Sequence, residues 1–305
     1  MKISIIIPTY GIPVFLKRTI YSVINQTIKD WELIIVDDNN PDSEARCQTE
    51  NIVESLICED NRIKYIKHEY NKNGAVARNT GFAAAKGKYI SLLDSDDEYM
   101  PNRLEKCYNI MEHASNNIAA VYTGCEFRRN GATYKRYTDV KPGNYIVETL
   151  ACSFMLGTGS NIFIKKSVVD ELNGFDPSFL RQQDYEFMVR VFEKYSIEAV
   201  PEILVIKNNE NFNLPDVGKQ IAIRNQYLNK FNYIISKLSR DKQNYIYYNN
   251  FINIAENAMA SNNFKIANEY YRKASKFGGL SVRVWLRRLI FPLYNIIKKH
   301  SQCMI

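Results

Sequence analysis

The stretch "GAVARNTGFAAAKGKYISLLDSDD", residues 74–97, decides how this chain folds. Residues 74–86 are small and helix-forming, and Gly87 closes them as a glycine closes a helix C-terminus. In the "YISLLD" that follows, Ile90, Leu92 and Leu93 stand too close together for one buried face. They read as a short strand with core on both sides. Asp94, Ser95, Asp96, Asp97 and Glu98 then crowd their carboxylates at the strand's end. Like charges this close repel, so the cluster costs stability unless something cationic sits among them.

The same unit repeats outward from this point. "ISIII" (3–7) is a strand, "VFLKRTIYSVINQT" (14–27) has helical spacing, and "WELIIVDD" (31–38) is a strand ending in acids. A helix over 43–57, a strand at 63–68, a helix over 101–115 and a strand at 119–124 complete the alternation. Repeated strand–helix–strand units imply a Rossmann-like, mostly parallel sheet flanked by helices. Ligands collect outside the carboxyl ends of such strands, where Asp37–Asp38 and Asp94–Asp97 both lie. From 157 to 205 the pattern is mixed, with a helix in "DYEFMVRVFEKY" and a strand in "EAVPEILVIK". Beyond it the alternation stops. The expected organisation is a catalytic domain over 1–207 and an α-helical C-terminal extension over 208–305, in which 252–278 form a helical hairpin. Its Ala267–Tyr271–Ala274 spacing resembles one tetratricopeptide unit, and one copy is packing rather than an array.

Composition narrows the class. Hydrophobic content of 46% with 24% charged residues is globular. The six cysteines lack CxxC spacing and read as free thiols of a reducing cytoplasm, and three scattered histidines make no zinc cluster. The N-terminal "MKISIIIPTY" is a strand rather than a signal peptide, and no run of about 18 apolar residues could span a membrane. The net charge of +7 belongs to the tail, because eight Lys/Arg and no acids follow Tyr270. That distribution argues against a nucleic-acid reader, whose basic residues belong on folded surface elements. Walker, GxSxG, HExxH and kinase signatures are absent, and "GTGSN" (157–161) lacks the third glycine of a dinucleotide fingerprint. Oxygen-rich sites without histidine suit Mg²⁺ or Mn²⁺ completed by a substrate's phosphates.

"ISIIIPTY", "LIIVDDNN", "NGAVARNTGFAAAKGKYISLLDSDDEYMP", "NGFDPSF" and "QDYEFMVR" occur in that order, and as a set they resemble the family 2 glycosyltransferases with the GT-A fold. The resemblance covers residues 1–205 and implies a UDP-sugar donor, a divalent Mn²⁺ or Mg²⁺ ion and inversion at the anomeric carbon. It places Pro8 and Tyr10 in the uracil pocket, Asp38 on the base and Arg78 near the nucleotide. It puts Asp96 on the ribose, Asp97 on the metal, Asp184 as general base and Gly157–Asn161 below the sugar. Two departures stand out: Gln183–Asp184 where many members have Glu–Asp, and "DDNN" in place of "DDGS".

The chemistry agrees with these roles. A leaving diphosphate needs its growing charge stabilised, which a metal at Asp97 would do as a Lewis acid. The acceptor hydroxyl needs a base, and a single carboxylate, Asp184, implies one displacement with inversion. The donor hexose is expected to be glucose or galactose, with N-acetylhexosamine possible. The acceptor is expected to be a lipid-linked saccharide, undecaprenyl-diphosphate-linked GlcNAc or GalNAc or an oligosaccharide, in O-antigen or capsule assembly. In "SVRVWLRRLIFPLYNIIKK" an apolar stripe alternates with Arg283, Arg287 and Arg288. Such a basic amphipathic helix suits an anionic membrane surface, on the cytoplasmic face of the bacterial inner membrane, with packing on the core as the alternative. The rival readings are a nucleotidyltransferase, whose basic Gly-rich loop "PTYGIPVF" does not supply, and a catalytically inactive sugar-nucleotide-binding module.

Overall fold

The computed structural model describes residues 1–208 and 216–280, which fall into two compact units. Of the described residues, the first comprises 1–145 and 155–208, the second 146–154 and 216–280. The amphipathic stretch 282–299 lies outside the described residues.

In the first unit the chain runs β1 (Ile3–Thr9), α1 (Leu16–Ile24), β2 (Trp31–Asp37), α2 (Glu44–Glu59), β3 (Ile63–Lys67), α3 (Gly74–Ala84) and β4 (Tyr89–Leu92). It continues through β5 (Glu98–Tyr99), α4 (Arg103–His113), β6 (Ile118–Arg129) and β7 (Ala132–Tyr137). After the segment containing α5 (Ile146–Leu150), it resumes with β8 (Phe163–Lys165), α6 (Lys166–Glu171), α7 (Gln183–Phe192) and β9 (Ser196–Asn208). Among the described residues the strands form one sheet ordered β3-β2-β1-β4-β8-β6-β9-β5, with β7 also paired to β6.

The four N-terminal strands are parallel, as the alternation predicts, with Ile6 of β1 level with Ile34 of β2 and Leu92 of β4. Ile3, Ile5, Ile6 and Ile7 are wholly buried, which is why β1 is a continuous apolar run rather than an alternating one. The far half of the sheet is mixed: β8 is antiparallel to both β4 and β6, while β9 runs parallel to β6. Short β5 and the β6–β7 hairpin were not legible in the sequence pattern. Gly87 sits where a Cβ would lie 2.6 Å from the Ser4 backbone nitrogen, so the entry to β4 requires glycine.

The second unit is helical: α5, α8 (Val217–Lys230), α9 (Asn232–Ile235), α10 (Arg240–Ala260) and α11 (Phe264–Ala274). The expected hairpin is α10–α11, closed by Asn262 in the left-handed region at φ 59° and packed through Ala255, Ala258, Ala267 and Tyr271. Asn250 of α10 is fully buried and donates to the Leu150 carbonyl, joining α5 to this unit.

Candidate active site

The acids occupy the carboxyl edge of the parallel strands. Asp37 ends β2 and is buried against Arg46 at 3.0 Å, with the Tyr65 hydroxyl donating to the same carboxylate. Its role is to close the strand. Asp38 is also buried, and its carboxylate accepts from Asn71 Nδ2 (2.8 Å), Lys72 N (2.8 Å) and Asn73 N (2.9 Å), with His68 Nδ1 at 2.7 Å. Four partners fill a carboxylate's capacity. Asp38 therefore builds the loop before α3, including Asn73 (φ 87°), whose side chain caps that helix. The base contact expected of Asp38 has no open lone pair here. Tyr10, by contrast, is 67% exposed beside half-buried Pro8, leaving a ring face available for stacking.

At the end of β4 the turn Asp94–Asp97 is braced from three sides. Thr19 of α1 donates to the carbonyls of Ser95 and Asp97, Arg18 donates to that of Asp96, and Ser160 Oγ accepts from Asp94 N. The side chains separate by burial. Asp97 is wholly buried, accepting from Ser160 Oγ (2.6 Å), Thr158 Oγ1 (2.9 Å) and Asn208 N (3.1 Å). Asp94 takes Arg78 at 2.7 Å. Asp96 is 44% exposed, with the Lys207 ammonium, 3.9 Å away, as its only ion-pair partner among the described residues. The metal role expected of Asp97 thus falls on a carboxylate already consumed by protein donors, and the accessible one is Asp96.

Electrostatics follow that division. Burial pushes Asp97 up to about 7, the charges of Asp96 and Asp94 adding to it against Lys207. Burial works against Asp94 as well, but Arg78 and Lys207 outweigh it and hold its carboxyl below the usual range. Partial burial and neighbouring Asp94 raise Asp96. The cation this cluster was expected to need is in part supplied by the chain itself, as Arg78 and Lys207.

Asp184 lies in the first turn of α7, whose entry residue Gln182 is left-handed at φ 60°. Its Oδ1 accepts from Tyr185 N at 3.0 Å, and among the described residues it has no ion-pair partner. Burial raises its pKa, which suits a base. Arg78 joins this side to the acids, donating to Gln183 Oε1 (2.9 Å) as well as to Asp94. Arg190 pairs with buried Glu186 and donates to the Leu172 and Gly174 carbonyls, holding the "NGFDPSF" turn beneath α7. Lys207 and Thr19 were missed by sequence reasoning, whereas Thr158 and Ser160 fall in the 157–161 loop expected below the sugar and here bind Asp97. Only Lys207 left a signal, a lysine closing an apolar strand.

A divalent ion held through one carboxylate and completed by substrate oxygens would fit this donor set, in which Asp96 offers the most exposed carboxylate of the turn. A cage built from protein alone does not: no group of three metal-ligating side chains stands together among the described residues.

Comparison with known proteins gives the same direction. The sequence model of glycosyl transferase family 2 matches residues 4–172. An uncharacterized glycosyltransferase of Methanocaldococcus jannaschii is 33% identical over 227 residues, 72% of this chain and 75% of that protein. The UDP-Glc:alpha-D-GlcNAc-diphosphoundecaprenol beta-1,3-glucosyltransferase WfgD of Escherichia coli is 30% identical over 198 residues, 65% of this chain and 72% of that one. The crystal structure of S. aureus TarS 1-349 in complex with UDP covers 91% of this chain and 89% of its own at a TM-score of 0.54 and 16% identity, a likeness of fold alone.

Proposed function

The chain belongs to glycosyl transferase family 2, and from that premise we infer that it transfers a hexose from a UDP-sugar to a lipid-linked saccharide with inversion. It is a glycosyltransferase of GT-A fold; the donor, the acceptor and the residue roles are our proposal. The observation that carries it is Arg78, whose guanidinium binds Asp94 on one side and Gln183, next to Asp184, on the other. Arg78 thereby ties the acids of the β4 turn to the start of α7, where Asp184 lies.

In this reading Tyr10 stacks on the base. Asp96, the exposed acid, faces the ribose, Arg78 held by Asp94 stands near the first phosphate, and Asp97 shapes the turn without touching the substrate. A divalent ion, held by Asp96, would supply Lewis-acid stabilisation of the diphosphate when bound. Asp184 takes the proton of the acceptor hydroxyl as its oxygen forms a bond to the anomeric carbon. The bond from that carbon to the diphosphate breaks, and its electron pair leaves with UDP. One carboxylate on the acceptor side makes a single displacement.

Glucose is the donor favoured by the likeness to the Escherichia coli enzyme, and an undecaprenyl-diphosphate-linked GlcNAc the acceptor. In that setting the chain works against a membrane carrying its acceptor, although no described helix is long and apolar enough to cross one. The test is mass spectrometry of products from a panel of UDP-hexoses with that acceptor and Mn²⁺ or Mg²⁺. One added hexose in β linkage, lost with EDTA, is the expected result. Transfer with retention, or nucleotidyl transfer to a sugar phosphate, would overturn the reading.

A further inference from the structure

Lys207, at the end of β9, places its ammonium among all three acids of the β4 turn: 3.5 Å from Asp97, 3.8 Å from Asp94 and 3.9 Å from Asp96. None of these is a short hydrogen bond, and no hydrogen-bond or ion-pair partner among the described residues lies nearer to the ammonium than 3.5 Å. A lysine serving only as counter-ion would settle on one carboxylate at about 2.8 Å. Lys106 does so on Glu202, as Lys166 does on Asp170 at 2.7 Å. Lys207 instead stands nearly equidistant from all three, its one hydrogen bond the long 3.5 Å contact to Asp97, and 21% of its side chain is exposed. With Arg78 on Asp94, two fixed positive charges face three carboxylates, so the site is only slightly negative before any metal arrives.

We propose that Lys207 is a catalytic residue whose ammonium binds the leaving diphosphate directly, giving donor binding a component independent of the divalent ion. The inference rests on the reading of the donor as a UDP-sugar. A diphosphate carries more charge than any of the three carboxylates, and its oxygens can offer the ammonium shorter hydrogen bonds than the 3.5 Å contact it makes to Asp97. When the bond from the anomeric carbon to the phosphate oxygen breaks, the electron pair stays on that oxygen. Lys207 compensates the charge there without giving up its proton, while the acceptor's proton goes to Asp184. Neither oxidant nor further reactant is needed.

The test is calorimetry of UDP and UMP on the full chain, in EDTA and in Mn²⁺, for wild type, Lys207→Met and Lys207→Arg. Wild type in EDTA should bind UDP at least about tenfold more tightly than UMP, which lacks the second phosphate. Lys207→Met should remove that preference, and Lys207→Arg should restore it to within about threefold. Equal affinity of wild type for UDP and UMP in EDTA would overturn the proposal even if the Met variant failed to fold. A folded Met variant that keeps the preference would do the same, leaving Lys207 a counter-ion. UDP binding in Mn²⁺ that ignores Lys207 defeats this proposal alone, whereas no UDP binding under any condition defeats the donor reading with it.

Discussion

Replacing Asp97 and Asp96 separately by alanine should produce opposite phenotypes from adjacent carboxylates. Asp97 is wholly buried and accepts from Ser160 Oγ, Thr158 Oγ1 and Asn208 N. Thr158 has a second acceptor in Asp94 at 3.4 Å, so its hydroxyl can turn, but the Asn208 N–H and the Ser160 hydroxyl are stranded. Each buried unpaired donor costs about 1–3 kcal/mol. Against this, removing one of three crowded carboxylates returns about 1 kcal/mol of repulsion. The net loss for Asp97→Ala is therefore about 1–5 kcal/mol, a fall centred on about 1 M in the urea midpoint at a slope near 2–3 kcal/mol/M. Asp96 is 44% exposed and has no ion-pair contact nearer than 3.9 Å, so Asp96→Ala should stay within about 0.5 kcal/mol of wild type. Its deficit should appear as lost metal dependence of transfer. Urea titration by far-UV circular dichroism, paired with Mn²⁺ titration of activity, reads both. A stable Asp97→Ala that no longer responds to Mn²⁺, beside an Asp96→Ala that does, would show the metal assignment to be inverted.

Asp184→Asn should bind UDP within about twofold of wild type while transfer falls by about 10²-fold or more, because in the proposed mechanism the base serves the acceptor and not the nucleotide. Since burial raises Asp184 above 3.8, its basic form is lost as pH falls through that raised value. The acid limb of kcat/KM should lie above pH 3.8 and vanish from the residual activity of the Asn variant. Glu126 resists burial through Arg136, Arg128 and Thr133, which lower it to about 2. A depressed carboxylate contributes stability above its unfolded value of 4.5 that is lost as pH falls toward about 2, so Glu126→Gln should flatten stability across that window. Gly87→Ala would press a Cβ to 2.6 Å from the Ser4 backbone nitrogen and should cost about 3 kcal/mol or more, measured as soluble yield and melting temperature.

The parts of the fold legible in the sequence are those governed by local pattern. β1, β2 and β4 are apolar runs because both sheet faces are covered, and α3 and α7 show helical spacing, so their order and parallel pairing could be read directly. What could not be read depends on distant partners. β5 is two residues long and exists only because Glu98 and Tyr99 meet Ile206 and Val205. The acids Asp37, Asp38, Asp94, Asp96 and Asp97 could be found as a set, but their division of labour could not. Adjacent carboxylates differ in burial through which neighbours fold over them, and the donors that consume Asp97 come from residues 158–160 and 208. Asp38 looked like a contact for the base and proves saturated by the loop 68–73 for the same reason.

Gln183, the departure from the family's Glu–Asp pair, acquires a physical explanation from Arg78. The Gln183 amide is used at both ends: its oxygen accepts from Arg78 Nη1 at 2.9 Å, and its nitrogen donates to the Phe179 carbonyl at 2.8 Å. A glutamate could make the first contact but not the second, and it would compete with Asp94 for the guanidinium charge. Asp94 would then lose part of the compensation that keeps it ionised against burial. A second carboxylate beside Asp184 would also raise that base further by like-charge repulsion, beyond what burial already does. The neutral amide avoids both effects. It lets one arginine orient the start of α7 while its charge stays with Asp94, so the acids of the β4 turn and the proposed base Asp184 are linked in position without being strongly linked in charge.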